Sequence, residues 1–433
     1  MRRFAVLLKK ELREILTLQM FLPFVIVMVL FVSIGQIVSD VGSEQADTFP
    51  IAVSGLGSDP YSEVVSQSLT QAGFDPIVIV PDEPTEASVE TILDLAGANV
   101  LLAVPPGFSA SFAAGEVPEF RTWTRVRHFS FIGNADVTAL SSALAIINSS
   151  LAVRIGAEAA TGVPPQLLQQ PIAVSERVIV AGKSAETPAA AVMSFVSQQT
   201  TFIPIVLFVA VIFASQMIAT TIATEKENKT LETLLSYPVS RSAIVTSKMV
   251  AAGLVALVVG GAYLFGINRF TAGITKGLVG DAAVQGATAS EAAMQQLGLT
   301  LSTGDYALLG LTLFGGILVA LAISIILGAF AENVKSVQAL LTPVMVLLFV
   351  PYFLTMFLDL SALPGAARLA VLAIPFTYLF TAGPNIFLGN YGTVWFGIAY
   401  EFVWFAAFVT IAARVFSSDR ILTMKLSMGR RKR

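Results

Sequence analysis

The sequence has no cysteine, a single histidine and few charged residues: Asp, Glu, Lys and Arg make up 13% of its 433 residues. The lack of cysteine excludes disulfides, thiolate nucleophiles and cysteine-based metal sites within the chain. One imidazole, His128, cannot build a metal site or a catalytic triad, so we expect an ordinary surface residue and predict no metal site. The net charge of −3 gives no reason to expect a nucleic-acid partner.

Hydrophobic residues take the place of the missing charge. They make up 55% of the chain. Charged residues make up 13%, compared with about 25% in a typical soluble domain. The composition therefore predicts long segments that face lipid, where ionisable side chains are costly. Six apolar runs of roughly 18 residues or more could each cross a hydrocarbon core of about 30 Å. They cover residues 21–38, 202–221, 248–267, 306–330, 337–358 and 393–415.

The first run follows a basic N-terminus and must be distinguished from a signal peptide. It is longer than the usual apolar core of a signal peptide, and no clear small-x-small cleavage site follows it. We therefore predict an uncleaved first transmembrane helix over 21–38. Residues 1–20 place Phe4, Leu8, Leu12 and Ile15 on one helical face, which predicts an amphipathic interfacial helix. The alternative is a solvated extension of the first span.

A proline-interrupted apolar stretch precedes the last run. Residues 361–388 contain Pro364, Pro375 and Pro384, which suit a re-entrant hairpin better than a full crossing. The alternative is a seventh span. With an even number of spans, lysine and arginine concentrate on the side of the N-terminus, as the positive-inside rule requires. We therefore predict a multi-pass protein of a prokaryotic cell membrane with both termini in the cytoplasm.

Residues 39–198 have the composition of a soluble domain. Strands are predicted at 49–54, 76–80, 99–104 and 119–126, with helices between them at 61–72, 88–95 and 108–113 and a longer helix at about 137–160. This alternation predicts a small extracellular α/β domain. The predicted fold class is an α-helical polytopic membrane protein with six transmembrane helices. The α/β domain lies between spans one and two, the re-entrant hairpin precedes span six, and residues 199–433 complete the transmembrane domain.

The segment between the second and third runs carries an informative pattern. Thr224 and Glu227 fit a T-x-x-E capping box, and Pro238 ends the helical pattern, so a short charged helix is predicted over 225–238. The alternative is a simple inner loop that stabilises a helical hairpin.

This segment resembles a known family. From Glu225 to Arg241 the chain reads EKENKTLETLLSYPVSR, which is similar to the signature loop of type-2 ABC exporter permeases, the ABC-2 membrane subunits. It looks closest to the subgroup that contains the sodium-efflux permeases and several drug exporters. Many members carry glycine where this chain has Lys229.

The resemblance implies a transport subunit rather than an enzyme. Two permease subunits, as a homodimer or a heterodimer, would each work with a separate nucleotide-binding subunit that binds ATP and Mg, so no cofactor is expected in this chain. Coupling to that ATPase is implied for the residues Glu225, Glu227, Thr230, Leu231, Glu232 and Arg241.

Two glycine-containing stretches resemble nucleotide motifs but lack required residues. Gly182-Lys183-Ser184 resembles the end of a P-loop, but the first glycine of that motif would fall at Arg177. The Gly55-x-Gly57 pair would need its third glycine at position 60, which is a proline. ATP is therefore expected on another chain.

Glu401 is an ionisable residue inside the last apolar run. A carboxylate at that depth should face the protein interior, a partner or water, which makes Glu401 a candidate for the translocation path. The alternative is a buried residue that is hydrogen-bonded within the bundle or close to the outer interface. Asp305 and Asp359 are expected at the ends of spans.

The resemblance implies an export permease, from a wider family whose cargoes include sodium ion, drugs or peptides, and lipid. A rival hypothesis is a mechanotransmission module that acts through its extracellular domain without moving cargo. An intramembrane enzyme would need paired acids, a Ser/Lys dyad or a histidine-based metal site inside the spans, and the sequence offers Glu401 nearly alone.

Overall fold

The computed structural model describes residues 18–45, 48–79, 84–130, 135–158, 164–230, 243, 246–258, 261–262, 266, 292–331 and 333–417. Its first described element is helix α1 (Leu18–Gln45), which extends beyond both ends of the predicted first span. An α/β domain follows α1, and a bundle of apolar helices follows the domain. Residues 1–17, most of the predicted interfacial helix, lie outside the described residues.

The α/β domain is built on a six-stranded sheet with the strand order β2-β1-β3-β4-β5-β6. Its strands are β1 (Phe49–Ser54), β2 (Phe74–Val78), β3 (Val100–Ala103), β4 (Glu119–Val126), β5 (Ala173–Val180) and β6 (Lys183–Glu186). Strand β1 runs parallel to both β2 and β3, and β4 runs parallel to β5. The β3–β4 and β5–β6 pairs are antiparallel.

Crossover helices connect the parallel strands, as parallel pairing requires. Helix α2 (Pro60–Gln71) connects β1 to β2, α3 (Glu86–Leu95) connects β2 to β3, and α4 (Phe108–Ala114) lies between β3 and β4. These elements agree with the predicted alternation, with bounds that differ by a few residues.

Helix α5 (Ala135–Glu158) belongs to this domain although it is apolar enough to be mistaken for a span. Four of the described helices are long and apolar enough to cross a membrane, and α5 is one of them. Its residues Leu140, Ile147 and Leu151 are buried in one cluster with Ile51 and Phe120 of the sheet. The helix packs on the sheet because its apolar residues form one face, which the sheet covers.

Strands β5 and β6 were not predicted from the sequence. After α6 (Pro165–Gln169), the segment AVSERVIV forms β5 and turns back through Ala181 and Gly182, with φ of 50° and 77°. A two-residue hairpin with both central residues at positive φ has the geometry of a type I′ turn. The glycine and the apolar run before it were the available signals.

The helical bundle contains the apolar elements of the second half. They are α7 (Ala189–Glu227), α8 (Thr246–Val258), α9 (Thr303–Ala329), α10 (Val334–Leu340), α11 (Thr342–Phe357), a 3₁₀ turn (Leu360–Ala362), α12 (Gly365–Leu372), α13 (Phe376–Phe387) and α14 (Tyr391–Ser417). A buried core joins α7, α8, α9, α11 and α13. Helices α12 and α13 meet at an angle of 101° within the predicted hairpin, and we call them the bent helix pair.

Two predicted boundaries differ from the structure. Helix α7 begins at Ala189, so the predicted division between domain and bundle at 198–199 falls inside a helix. The first turns of α7 belong to the domain, because Val192 and Val196 pack in one buried cluster with Val178 and Val180 of β5. The fifth apolar run is two helices that meet at Leu341, because Pro343 follows in the first turn of α11 and cannot donate a helical hydrogen bond.

Candidate functional site

The α/β domain contacts the bent helix pair through residues that follow β4. His128 Nδ1 pairs with the carboxylate of Asp359, which lies between α11 and the 3₁₀ turn. Next to this pair, Phe129 and Phe387 meet edge to face with ring centroids 6.0 Å apart. His128 is thus more than the ordinary surface residue expected from the sequence: its side chain is 42% exposed, and it connects the domain to the bundle.

The environment of Asp359 favours its ionised form. Burial alone would raise the pKa of Asp359, but hydrogen bonds from His128 and Ser361 outweigh burial and lower that pKa to about 2. The pair is therefore a charge-assisted contact at neutral pH.

The C-terminal end of α7 is tied to its neighbours by charged side chains. Glu225 pairs with Lys248 at the start of α8. Lys226 Nζ donates a hydrogen bond of 2.8 Å to the carbonyl oxygen of Ala329, the last residue of α9. A cation at a helix C-terminus is favourable because the last carbonyl groups lack helical partners and carry partial negative charge. Three helices are thus joined at one end of the bundle.

The predicted capping box is wrong. Thr224 lies inside the last turn of α7, and Glu225 and Glu227 complete the same helix rather than begin a new one. Glu227 and Thr230 are exposed, and the Thr230 hydroxyl donates to the carbonyl oxygen of Glu225 at 3.1 Å. The other candidate coupling residues, Leu231, Glu232 and Arg241, and most of the predicted helix 225–238, lie outside the described residues.

Lys229 adopts a backbone conformation that favours glycine. Its φ is +57°, in the left-handed region, directly after α7 ends. Helices commonly end with a left-handed residue, most often glycine, because a Cβ is strained there. The sequence resemblance implies a glycine at this position, and Lys229 takes its place.

Glu401 is buried inside α14, ten residues from its first residue and sixteen from its last. The ten residues from Tyr391 correspond to about 15 Å along a helix. The residue is 0% exposed, and neither carboxylate oxygen has a hydrogen-bond partner in the described part of the chain. Asp305, the other carboxylate near α14, does have a partner. The hydroxyl of Tyr391 donates to it at 3.0 Å, and this hydrogen bond joins the N-terminal ends of α9 and α14. Asp305 is thus the span-end residue that the sequence predicted.

Two glycines of α9 make the space for the Glu401 carboxylate. A Cβ at Gly315 would lie 2.5 Å from Oε2 of Glu401, and a Cβ at Gly316 would lie 3.6 Å from Oε1 and 3.1 Å from Leu379. Small residues allow helices to approach closely in a membrane. Here they also leave room for a carboxylate between two helices that would otherwise pack side chain against side chain.

Helix α14 also packs closely on α13. One turn before Glu401, a Cβ at Gly397 would lie 2.7 Å from the Cβ of Tyr378. The Tyr400 hydroxyl donates to the carbonyl oxygen of Ala373, at the bend between α12 and α13, over 2.9 Å. Glu401 therefore lies where α9, α13 and α14 meet, next to the bent helix pair.

The structure brings together only some of the predicted site residues. Glu225, Glu227 and Thr230 share one end of α7, whereas Glu401 lies within another helix. The glycine pair beside Glu401, the Lys248 partner of Glu225 and the His128–Asp359 pair were all missed as site features. The sequence held each residue, but no spacing pattern connects positions so far apart in the chain.

Comparison with known proteins identifies the family of the chain. The family model described as ABC-2 family transporter protein matches residues 13–414. A solved domain of a candidate ABC type-2 transporter from Thermotoga maritima MSB8 is similar over 34% of this chain and 97% of that domain, at 17% identity and a TM-score of 0.28. No curated protein matches the chain. Because the family model covers most of the sequence, the chain belongs to the ABC-2 family of transporter proteins and is a multi-pass membrane permease subunit of an ABC transporter.

Proposed function

We propose that this chain exports cargo with energy from ATP hydrolysed by a separate nucleotide-binding subunit. The observation that carries this proposal is the continuity of α7, which runs for 39 residues from Ala189 in the domain to Glu227 at the charged end of the bundle. At 1.5 Å per residue this helix is about 58 Å long. A displacement applied near Glu227 would therefore reach both the bundle and the extracellular domain.

The proposed topology has six spans, a cytoplasmic N- and C-terminus and a re-entrant hairpin over 361–388. Three described bundle helices are long enough to span, and three shorter apolar helices, Val25–Asp40, Thr246–Val258 and Thr342–Phe357, fit the remaining places. The sharp bend between α12 and α13 supports a segment that enters and leaves on one side. The distribution of basic residues favours a domain that lies outside the cell.

The proposed contact with the ATPase centres on the end of α7. Glu227 and Thr230 are exposed there, and Leu231, Glu232 and Arg241 follow in the sequence. Glu225 is engaged with Lys248, so we assign it the role of holding α8 to α7 while the exposed residues bind the partner. ATP and Mg would be held by that partner, and a second permease subunit, identical or related, would complete the transporter in the lipid bilayer.

The cargo would pass beside the helices that surround Glu401, next to the bent helix pair α12 and α13. Sodium ion, an amphipathic drug or peptide, and lipid are the cargo classes that the resemblance suggests. The alternative function is mechanotransmission without cargo, and the His128–Asp359 pair between domain and bundle gives that alternative a physical route.

The test is ATPase activity of the chain reconstituted with its candidate nucleotide-binding subunit. We expect Glu227→Ala combined with Leu231→Ala to abolish assembly or the coupling of ATP hydrolysis. The matched control is Glu90→Ala combined with Leu95→Ala, because both residues are exposed on α3 of the domain. If no ATPase subunit associates with the wild-type chain, the permease proposal fails.

Cargo efflux from proteoliposomes distinguishes the two functions. An active ATPase complex that moves none of the three cargo classes, yet changes the protease sensitivity of the extracellular domain when ATP is added, would favour mechanotransmission.

A further inference from the structure

Glu401 presents an unusual physical problem. Its carboxyl group is fully buried and has no hydrogen-bond partner among the described residues. An ionised carboxylate without a partner is very costly in a low-dielectric interior, so such groups are paired, hydrated or neutral.

Among the described residues, no cationic side chain pairs with this carboxylate. The carboxylate lies against Gly315 and Gly316 of α9, and the apolar side chain of Leu379 packs beside Gly316. The titratable or charged side chains of the three helices that meet here are Asp305, Tyr306, Tyr378, Tyr391, Tyr400 and Arg414. None of them forms a described hydrogen bond or ion pair with Glu401.

A bound metal ion is also poorly served by this geometry. Hard cations need several oxygen ligands, and among the described residues no group of three or more His, Cys, Asp or Glu side chains could hold a metal ion. A proton needs only the carboxylate itself. The space beside Gly315 and Gly316 fits the Glu401 carboxyl closely.

We propose that Glu401 is a proton-binding site of the transport cycle: it is protonated while α9 and α14 are packed together, and it releases the proton when these helices separate and water reaches the carboxyl. This inference rests on the proposed function for the helix movement. It adds a proton to the ATP-driven cycle and makes turnover sensitive to pH at a group that lies about 15 Å inside α14.

Carbodiimide labelling tests the resting state without any partner. The carboxyl O–H adds across a C=N bond of dicyclohexylcarbodiimide, and acyl migration from oxygen to nitrogen leaves a stable N-acylurea that contains all atoms of both reactants. We expect peptide mass spectrometry to find this adduct on Glu401 of the wild-type chain, with labelling that slows from mildly acidic to mildly alkaline buffer. A water-soluble carbodiimide should label the exposed Glu227 and leave Glu401 unmodified.

The adduct is identified on the Glu401 peptide of the wild-type chain, so the result stands even if a variant fails to fold. Glu401→Gln should lose the adduct at this position and retain the wild-type melting temperature, because a neutral amide replaces a neutral acid. Labelling of Glu401 by the water-soluble reagent as fast as Glu227, no reaction with the hydrophobic reagent, or protection by NaCl relative to choline chloride would each overturn the proposal.

A second measurement tests proton release. In a complex that hydrolyses ATP, opening of the α9–α14 contact should slow the labelling of Glu401, whereas unchanged labelling would show a static proton and contradict the cycle. A complex that fails to hydrolyse ATP would contradict the proposed function instead, and the labelling of the isolated chain would still stand.

Discussion

Gly397 and Gly315 illustrate how close helix packing depends on a missing side chain. A Cβ at Gly397 would meet the Cβ of Tyr378 at 2.7 Å, and that atom is fixed to the backbone of α13. A Cβ at Gly315 would meet the Glu401 carboxylate at 2.5 Å, which can rotate away, and the Glu401 Cβ at the longer distance of 3.3 Å. The same substitution should therefore have different costs at the two positions.

Gly397→Ala should destabilise the bundle by about 1–3 kcal/mol, the usual cost of overpacking a close contact. Thermal unfolding in detergent measures the effect. The matched control is Gly392→Ala on the same helix, where a Cβ would have no neighbour within 4 Å and alanine improves helix propensity. Equal melting temperatures for the two variants would contradict the close packing of α14 on α13.

Lys229→Gly should stabilise the chain by roughly 0.5–1 kcal/mol, because the left-handed strain that glycine removes after α7, about 1–2 kcal/mol, exceeds the extra entropy that glycine loses on folding, about 0.5–1 kcal/mol. Lys229→Ala removes the same charge but keeps the Cβ, so it should not stabilise. The measurement is the melting temperature of the wild type and both variants in the same buffer. A stabilisation by alanine as large as that by glycine would point to charge rather than backbone strain.

At the scale of elements, the His128–Asp359 pair connects the α/β domain to the segment between α11 and the 3₁₀ turn. Because the pKa of Asp359 is lowered from 3.8 to about 2, the ionised form contributes stability above the ordinary pKa and loses it as pH falls toward the folded value. The contribution of this pair should therefore be complete above about pH 4 and disappear near pH 2.

Asp359→Asn should cost about 1 kcal/mol at neutral pH, a modest value because both side chains are partly exposed. The measurement is the difference in melting temperature between the wild type and this variant as a function of pH. Other carboxylates affect both proteins equally, so the difference isolates Asp359. We expect the difference to shrink between about pH 4 and pH 2; a constant difference would mean that the charge of Asp359 is unimportant.

Elements with a clear period were predictable, and those set by contacts were not. Strand β4 was predicted at its observed bounds, and α5 was assigned to the soluble domain. The break at Leu341 was missed because a proline in an apolar run can be either in a helix interior or at its start. Thr224 and Glu227 had the spacing of a helix start but lie at a helix end, because a local motif does not specify whether α7 continues.

At the scale of the whole molecule, the absence of cysteine makes the proposed topology directly testable. A cysteine introduced at Gln67, exposed on α2, should react with a membrane-impermeant maleimide in intact cells. A cysteine at Asn228, exposed after α7, should react only after permeabilisation. The unmodified chain is the background control. Labelling of Asn228→Cys in intact cells would place the end of α7 outside and invert the topology.

The sequence by itself determined that this is a membrane protein of the ABC-2 family, because scarce charge, long apolar runs and the segment after Glu225 are local properties of the chain. It also determined the alternation of β1 to β4 with their helices. Only the tertiary structure decided that Glu401 faces Gly315 and that His128 meets Asp359. These contacts join positions far apart in the chain, and their energies depend on burial and distance, which no periodic pattern in a single sequence records.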